Sequence, residues 1–148
     1  MTYTHPGLGF RLELPAGYEV ATDAGALAMV AVEPGPATAS GFRANLVVTV
    51  EEVPGGTGVE AYTESSLRGQ AELLRSHRLI DSELTDVRGS PATRTLAHHA
   101  QDALAVTIEQ WRLVAHTLAY TVTASCATLD YAAVADVHRD AAETLTAG

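Results

Sequence analysis

The chain has 148 residues, and a few of them have types and spacing that could do chemistry. His98, His99 and Asp102 come nearest to a metal-ligand cluster, since imidazole and carboxylate are ordinary zinc donors. Adjacent residues on a strand point to opposite faces, so His98 and His99 are badly placed to share one ion. The expectation there is a solvated hairpin end, with no metal and no cofactor. Arg94, Gln110, Arg112 and Thr121 are a second set, expected to meet on one face of a sheet. Two guanidiniums, an amide and a hydroxyl could receive a carboxylate or a peptide strand, because each guanidinium offers a fixed fork of donors. The plainer alternative for this patch is the wet face of the sheet. Cys126 follows Tyr120, Val122 and Ala124 at period two, which predicts a buried, inert thiol. No residue stands out as catalytic.

Hairpin arithmetic is what gathers the second set. A two-residue loop at Ala115-His116 sets Trp111 against Tyr120 and leaves Gln110, Arg112 and Thr121 on the other face. A three-residue loop at Ala100-Gln101-Asp102 adds Arg94 to that other face, whereas an error of one residue moves it across the sheet. His116 in its turn fits a residue that tolerates positive φ.

The surrounding elements follow from period and punctuation. Phe10, Leu12 and Leu14 alternate with Arg11 and Glu13, then Pro15 and Gly17 end this opening strand, the expected first core row of the sheet. Strands are expected at Tyr18–Ala21, Ala26–Val32 and Asn45–Val53, with a loop from Pro34 to Gly41. Thr57-Gly58-Val59-Glu60 has the form of a capping box opening a helix. Its inner stripe is Val59, Tyr62, Ser66, Leu73 and Leu74, and Gly69 interrupts it. Four further strands are expected at Leu79–Val87, Ala92–His99, Ala103–Val114 and Thr117–Ala127. Their short connections allow hairpins but not parallel crossovers. Thr128 or Asp130 caps a last helix with Val134, Val137, Ala141 and Leu145 inward. The class is α+β: a single domain over residues 1–148, with two main helices packed on an antiparallel sheet of about six or more strands.

Composition removes several function classes. The net charge of −9 disfavours nucleic acid and anionic membrane surfaces. All nine basic residues are arginine, so a lysine-bearing phosphate loop, a Schiff-base enzyme and a lysine general base are excluded. Gly55-Gly56-Thr57-Gly58 is accordingly no such loop. One cysteine excludes an internal disulfide and any multi-cysteine metal site. The N-terminus shows no basic segment leading into an apolar run, so a cytoplasmic protein is expected. The Ala/Arg/Val-rich, lysine-free composition is one associated with high-GC bacteria.

The element order, the opening Gly9-Phe10-Arg11-Leu12-Glu13-Leu14-Pro15-Ala16-Gly17-Tyr18, Phe42 and Asn45 before a strand, Gly89-Ser90-Pro91-Ala92, and Tyr120-Thr121-Val122-Thr123 before the last helix together resemble the PsbP-like superfamily. That grouping includes PsbP, Ran-binding Mog proteins, LpqN-type lipoproteins and Eag chaperones. The resemblance implies an α/β/α sandwich and a non-catalytic adaptor or chaperone-like role. A protein or peptide would then be bound on the sheet face or in a helix–sheet groove, by a monomer or homodimer. The alternative is a small-ligand carrier or enzyme with a pocket between sheet and helix.

Overall fold

The computed structural model describes residues 1–21, 27–35 and 40–148. Strand β1 (Thr2–Thr4) pairs antiparallel with β2 (Arg11–Glu13). The main sheet consists of β3 (Glu19–Ala21), β4 (Met29–Val32), β5 (Asn45–Glu52), β6 (Arg78–Val87), β7 (Ser90–Gln101), β8 (Leu104–Ala115) and β9 (Leu118–Ala127). Its order is β3-β4-β5-β9-β8-β7-β6, and every neighbouring pair is antiparallel. Helix α1 (Val59–Leu73) lies on one face of the sheet and α2 (Tyr131–Ala142) on the other, which is the expected α+β sandwich.

The opening segment is placed differently from expectation. Phe10, Leu12 and Leu14 are buried as their alternation requires, but β2 lies outside the main sheet. It is held in a two-stranded ribbon with β1, and reciprocal backbone bonds of 2.9 Å join Arg11 to Thr146 near the C-terminus. Phe10 meets Tyr120 of β9 edge-on, with centroids 6.2 Å apart, so the ribbon is a lid on the core rather than a row of the sheet.

The two faces of the sheet differ in kind. Met29, Leu46, Val48, Trp111, Leu113, Tyr120 and Val122 form one apolar cluster with the ribbon, Ala141, Ala142 and Leu145. The α1 face carries Thr93, Thr95, Gln110, Arg112 and Thr121, all buried. Only Thr63 of α1 is fully buried, and Leu73, expected on its inner stripe, is 85% exposed. A polar sheet face gives α1 hydrogen bonds to stand on, so its apolar residues are not drawn inward.

Helix ends also depart from the expected chemistry. Gly58 is the N-cap of α1 without a side-chain bond, because the Thr57 hydroxyl donates to Pro54 O at 2.6 Å instead. At α2, Asp130 stands at the N-cap but its carboxylate accepts from Ser40 at 3.1 Å, and Thr128 meets Thr107 at 2.9 Å. Val137 is 45% exposed, and Leu145 is buried beyond the helix end. The strand expected from Ala26 begins at Met29, Ala26 itself lying outside the described residues, as does part of the Pro34–Gly41 loop.

Gly69 of α1 has nothing within 4 Å of where a Cβ would stand, so no neighbour requires glycine there. Gly69→Ala is expected to stabilise the fold by about 1 kcal/mol, by removing backbone freedom from the unfolded chain. A raised urea midpoint at unchanged slope is the expected reading, and a lowered midpoint would contradict the open space.

Candidate functional site: a polar layer and groove beneath the first helix

The turns of the β7–β8–β9 meander decide which side chains meet. β8 and β9 close on Ala115↔Leu118, so the loop is His116-Thr117, and His116 has φ of 59°. The register is displaced by two residues from expectation: Trp111 opposes Val122, and Tyr120 opposes Leu113. A displacement of two preserves the faces, so Gln110, Arg112 and Thr121 do share the α1 side. β7 and β8 close on Gln101↔Leu104, which makes the loop Asp102-Ala103 rather than three residues. Arg94 therefore opposes Trp111 and lies on the α2 side, away from the other three.

Beneath α1, Arg112 and Gln110 join a hydrogen-bonded network, and Thr121 is buried beside Arg112 on the neighbouring strand. Arg112 is 1% exposed; its guanidinium donates to Thr95 Oγ1 at 2.9 Å and to Gln110 Oε1 at 2.7 Å. Gln70 of α1 donates to the same Gln110 oxygen at 2.7 Å, and Gln110 donates to Thr123 at 3.0 Å. Thr63 and Thr93 are linked at 2.6 Å, and the Tyr62 hydroxyl donates to Glu51. Arg112 Nε and Gln70 Oε1 are buried without a hydrogen-bond partner. Burial lowers the Arg112 pKa to about 10, opposed by the nearby Tyr62 phenol. Burial, reinforced by Glu51, holds the Tyr62 phenol above its ordinary value. The layer is suited to fixing and orienting polar groups, with one guanidinium, two amides and several hydroxyls.

Alongside this layer runs an open groove of about 330 Å³ between α1 and the β6–β7 margin. Thr63 and Thr93 meet at it, and Leu67, Leu84, Glu60 and Glu64 line it as well. Leu84 is 65% exposed, because α1 stops short of covering β6. Nothing in the residue types marked this groove; only the strand order places Leu84 beside Leu67.

Arg94 has another task. It donates to the buried Glu109 carboxylate and also reaches Asp81 at 3.2 Å and Glu83 at 3.5 Å. Tyr131 of α2 donates to Glu109 at 3.1 Å, and Arg139 stands 3.9 Å away. Burial works against the Arg94 charge, but Glu109, with Asp81 and Tyr131, outweighs it and the pKa is raised. Its place two residues before Trp111 puts Glu109 on the inner face, but nothing in the sequence marked it as the partner of Arg94.

The remaining candidates are dispersed. His99 opposes Val106 and His98 opposes Thr107, one on each side of the sheet. Among the described residues no three His, Cys, Asp or Glu converge as a metal-ligand set. Cys126 is 3% exposed, and burial, with Asp130 next in effect, pushes its thiol up to about 11. A thiol in that state is inert at neutral pH.

No protein-family model matches the chain, and no curated protein matches it in sequence. Solved structures do. LpqN of Mycobacterium tuberculosis, involved in cell envelope biogenesis, superposes with a TM-score of 0.77 at 13% identity, over 99% of this chain and 88% of that one. The cyanobacterial PsbP of Synechocystis sp. PCC 6803 gives 0.70 at 16% identity, over 100% and 92%. The Ran-binding protein Mog1p of Saccharomyces cerevisiae gives 0.65 at 12% identity, over 97% and 86%. The chain has the PsbP-like fold, as its turn residues and element order implied.

Proposed function

We propose that this protein is a non-catalytic binding module, of adaptor or chaperone-like type, that takes a protein or peptide in the groove between α1 and the β6–β7 margin. The observation that carries this reading is the way α1 is seated. It stands on hydrogen bonds from Gln70 and Thr63 and leaves a groove beside it that is open to solvent. Small-ligand sites enclose most of their occupant, whereas an open, half-apolar groove beside an exposed Leu84 suits a longer one. The Ran-binding description of Mog1p, a protein of the same fold, points the same way. Gln110, itself held by Arg112, then supports the helix from below through Gln70, and contact with the partner falls to the groove residues. A cytoplasmic monomer or homodimer of bacterial type goes with this reading.

Leu84→Arg tests it, since Leu84 is exposed and the change leaves the core untouched. Affinity capture from a native extract with the wild type and the variant, followed by mass spectrometry, compares their bound proteins. Loss of specific partners with an unchanged circular dichroism spectrum is expected; the same partners on both would remove the groove from consideration. A small-ligand carrier is favoured by one observation, the unpartnered Arg112 Nε and Gln70 Oε1. A thermal shift on adding small carboxylates would support that reading, and its absence would count against it.

A further inference from the structure

β6 is the outermost strand of the main sheet, and it has ten residues. The opposite edge, β3, has three. Eight of the ten β6 residues are exposed, including Leu79, Ile80 and Leu84. Beyond the bulge between Leu79 and Asp81, its pairing with β7 is regular through Val87, so the outward N–H and C=O groups of that stretch form an unbroken template. Proteins usually blunt such an edge with lysine, proline or a short strand. Here the bulge is confined to the Leu79–Asp81 step, and the Asp81–Val87 stretch has neither lysine nor proline, its charges being all acidic and so open to a basic partner.

The two sides of this edge carry different chemistry. Asp81 and Glu83 oppose Leu96 and Arg94, on the α2 side, and together with Glu109 they crowd three carboxylates around one guanidinium. Both remain about half exposed, at 55% and 52%. Leu84 opposes Thr93 on the α1 side and lines the groove with Leu67. We infer that β6 accepts an extended segment of a partner protein as an eighth strand. That segment alternates basic residues, facing Asp81 and Glu83, with apolar residues directed at Leu84 and Leu67. Strand addition of this kind takes affinity from main-chain hydrogen bonds and specificity from alternate side chains.

A second copy of this chain fits less well. Each copy carries a net charge of −9. The twofold antiparallel registers centred on Ser82 or on Glu83 bring Asp81 against Glu83, or Glu83 against itself, and the one centred on Leu84 sets them against Val87 and Thr85, with no basic residue opposite either. Like charges directly opposed across strands are destabilising. The inference rests on the groove reading only for the apolar half of the segment; the edge itself is an independent feature.

The test uses the whole chain and a defined probe. An acetylated octapeptide alternating valine with arginine is titrated into isotope-labelled protein, and amide exchange is followed residue by residue. Two control peptides replace arginine by glutamate, or place a proline at the centre. Protection of amides between Ser82 and Asp86 by the arginine peptide alone is expected. Asp81→Asn with Glu83→Gln should weaken binding about tenfold while Arg94 keeps Glu109 and the fold survives. Equal binding of the control peptides, absence of protection on β6, or a dimer that already protects β6 without peptide would each overturn the proposal. Spectral changes at Thr63 and Leu67 without β6 protection would overturn strand addition and leave the groove reading standing. Protection of β6 alongside partner capture that ignores Leu84→Arg would sink the groove reading and leave this one.

Discussion

Glu109→Ala is expected to destabilise the fold by about 3 kcal/mol, the lower end of what breaking a buried ion pair costs. Glu109 is 2% exposed and receives Arg94, with Tyr131 and Arg139 of α2 directed at the same carboxylate. Its loss strips Arg94 of its buried partner and leaves only Asp81 and Glu83, both half in water and therefore weak. The link between β8 and α2 goes with it. For a domain of this size the melting temperature should fall by roughly 6–12 °C. Urea unfolding of Glu109→Ala, Arg94→Met and the pair Arg94→Met with Glu109→Leu separates charge from packing. The double variant should recover most of the loss, because two apolar side chains replace a buried pair without stranding either charge. A cost below 1 kcal/mol for the single variant, or a double variant worse than both singles, would show that packing rather than pairing holds this corner.

The same corner explains where sequence reasoning failed. Arg94 read as a member of the polar face with Gln110 and Arg112, yet it is paired with the buried Glu109 between β7, β8 and α2. Alternation decides the orientation of a strand only when one face is wet. On β8 the neighbours Trp111 and Arg112 are both buried, and so are Glu109 and Gln110, so the pattern carries no directional signal. The turn must then set the register, and His98-His99-Ala100-Gln101-Asp102 contains no glycine or proline to mark it. Asp102 takes the left-handed conformation at φ 55° instead, and a register displaced by three residues, an odd number, carried Arg94 across the sheet. At β8–β9 the error was two residues and therefore harmless to the faces. Where glycine marks the turn, at Arg88-Gly89 with φ of 50° and 86°, the place of the hairpin was legible, although β7 begins at Ser90, two residues before the expected Ala92. Class, helices and the strands of the main sheet were thus readable from period and punctuation, whereas β1 and the separate ribbon it forms with β2 were not. The groove was not, because Leu67 and Leu84 come together only through the edge position of β6.

Below neutral pH, His138 should make the protein lose stability. It is 2% exposed on α2, its Nε2 lies 2.7 Å from the Tyr18 hydroxyl, and the two rings meet edge-on at 5.8 Å. Burial alone lowers its pKa from 6.5 to about 4, while burial, with Glu33 and Cys126, raises the Tyr18 phenol to about 12. Between these two histidine values the unfolded chain binds a proton that the folded protein refuses. The contribution is complete above pH 6.5, shrinks as pH falls, and is lost by about pH 4, where both states are protonated. The total is about 3 kcal/mol over that interval, from the 1.36 kcal/mol that accompanies each pKa unit. Carboxylates titrate over part of the same range, so the wild type must be compared with His138→Gln, which keeps a polar group near Tyr18 and cannot take up the proton. Unfolding free energies measured from pH 7 to pH 4 should fall more steeply for the wild type, by about 3 kcal/mol over the range. Parallel curves for the two proteins would mean that His138 is protonated in the folded state, and that the contact between α2 and Tyr18 is open enough to admit water.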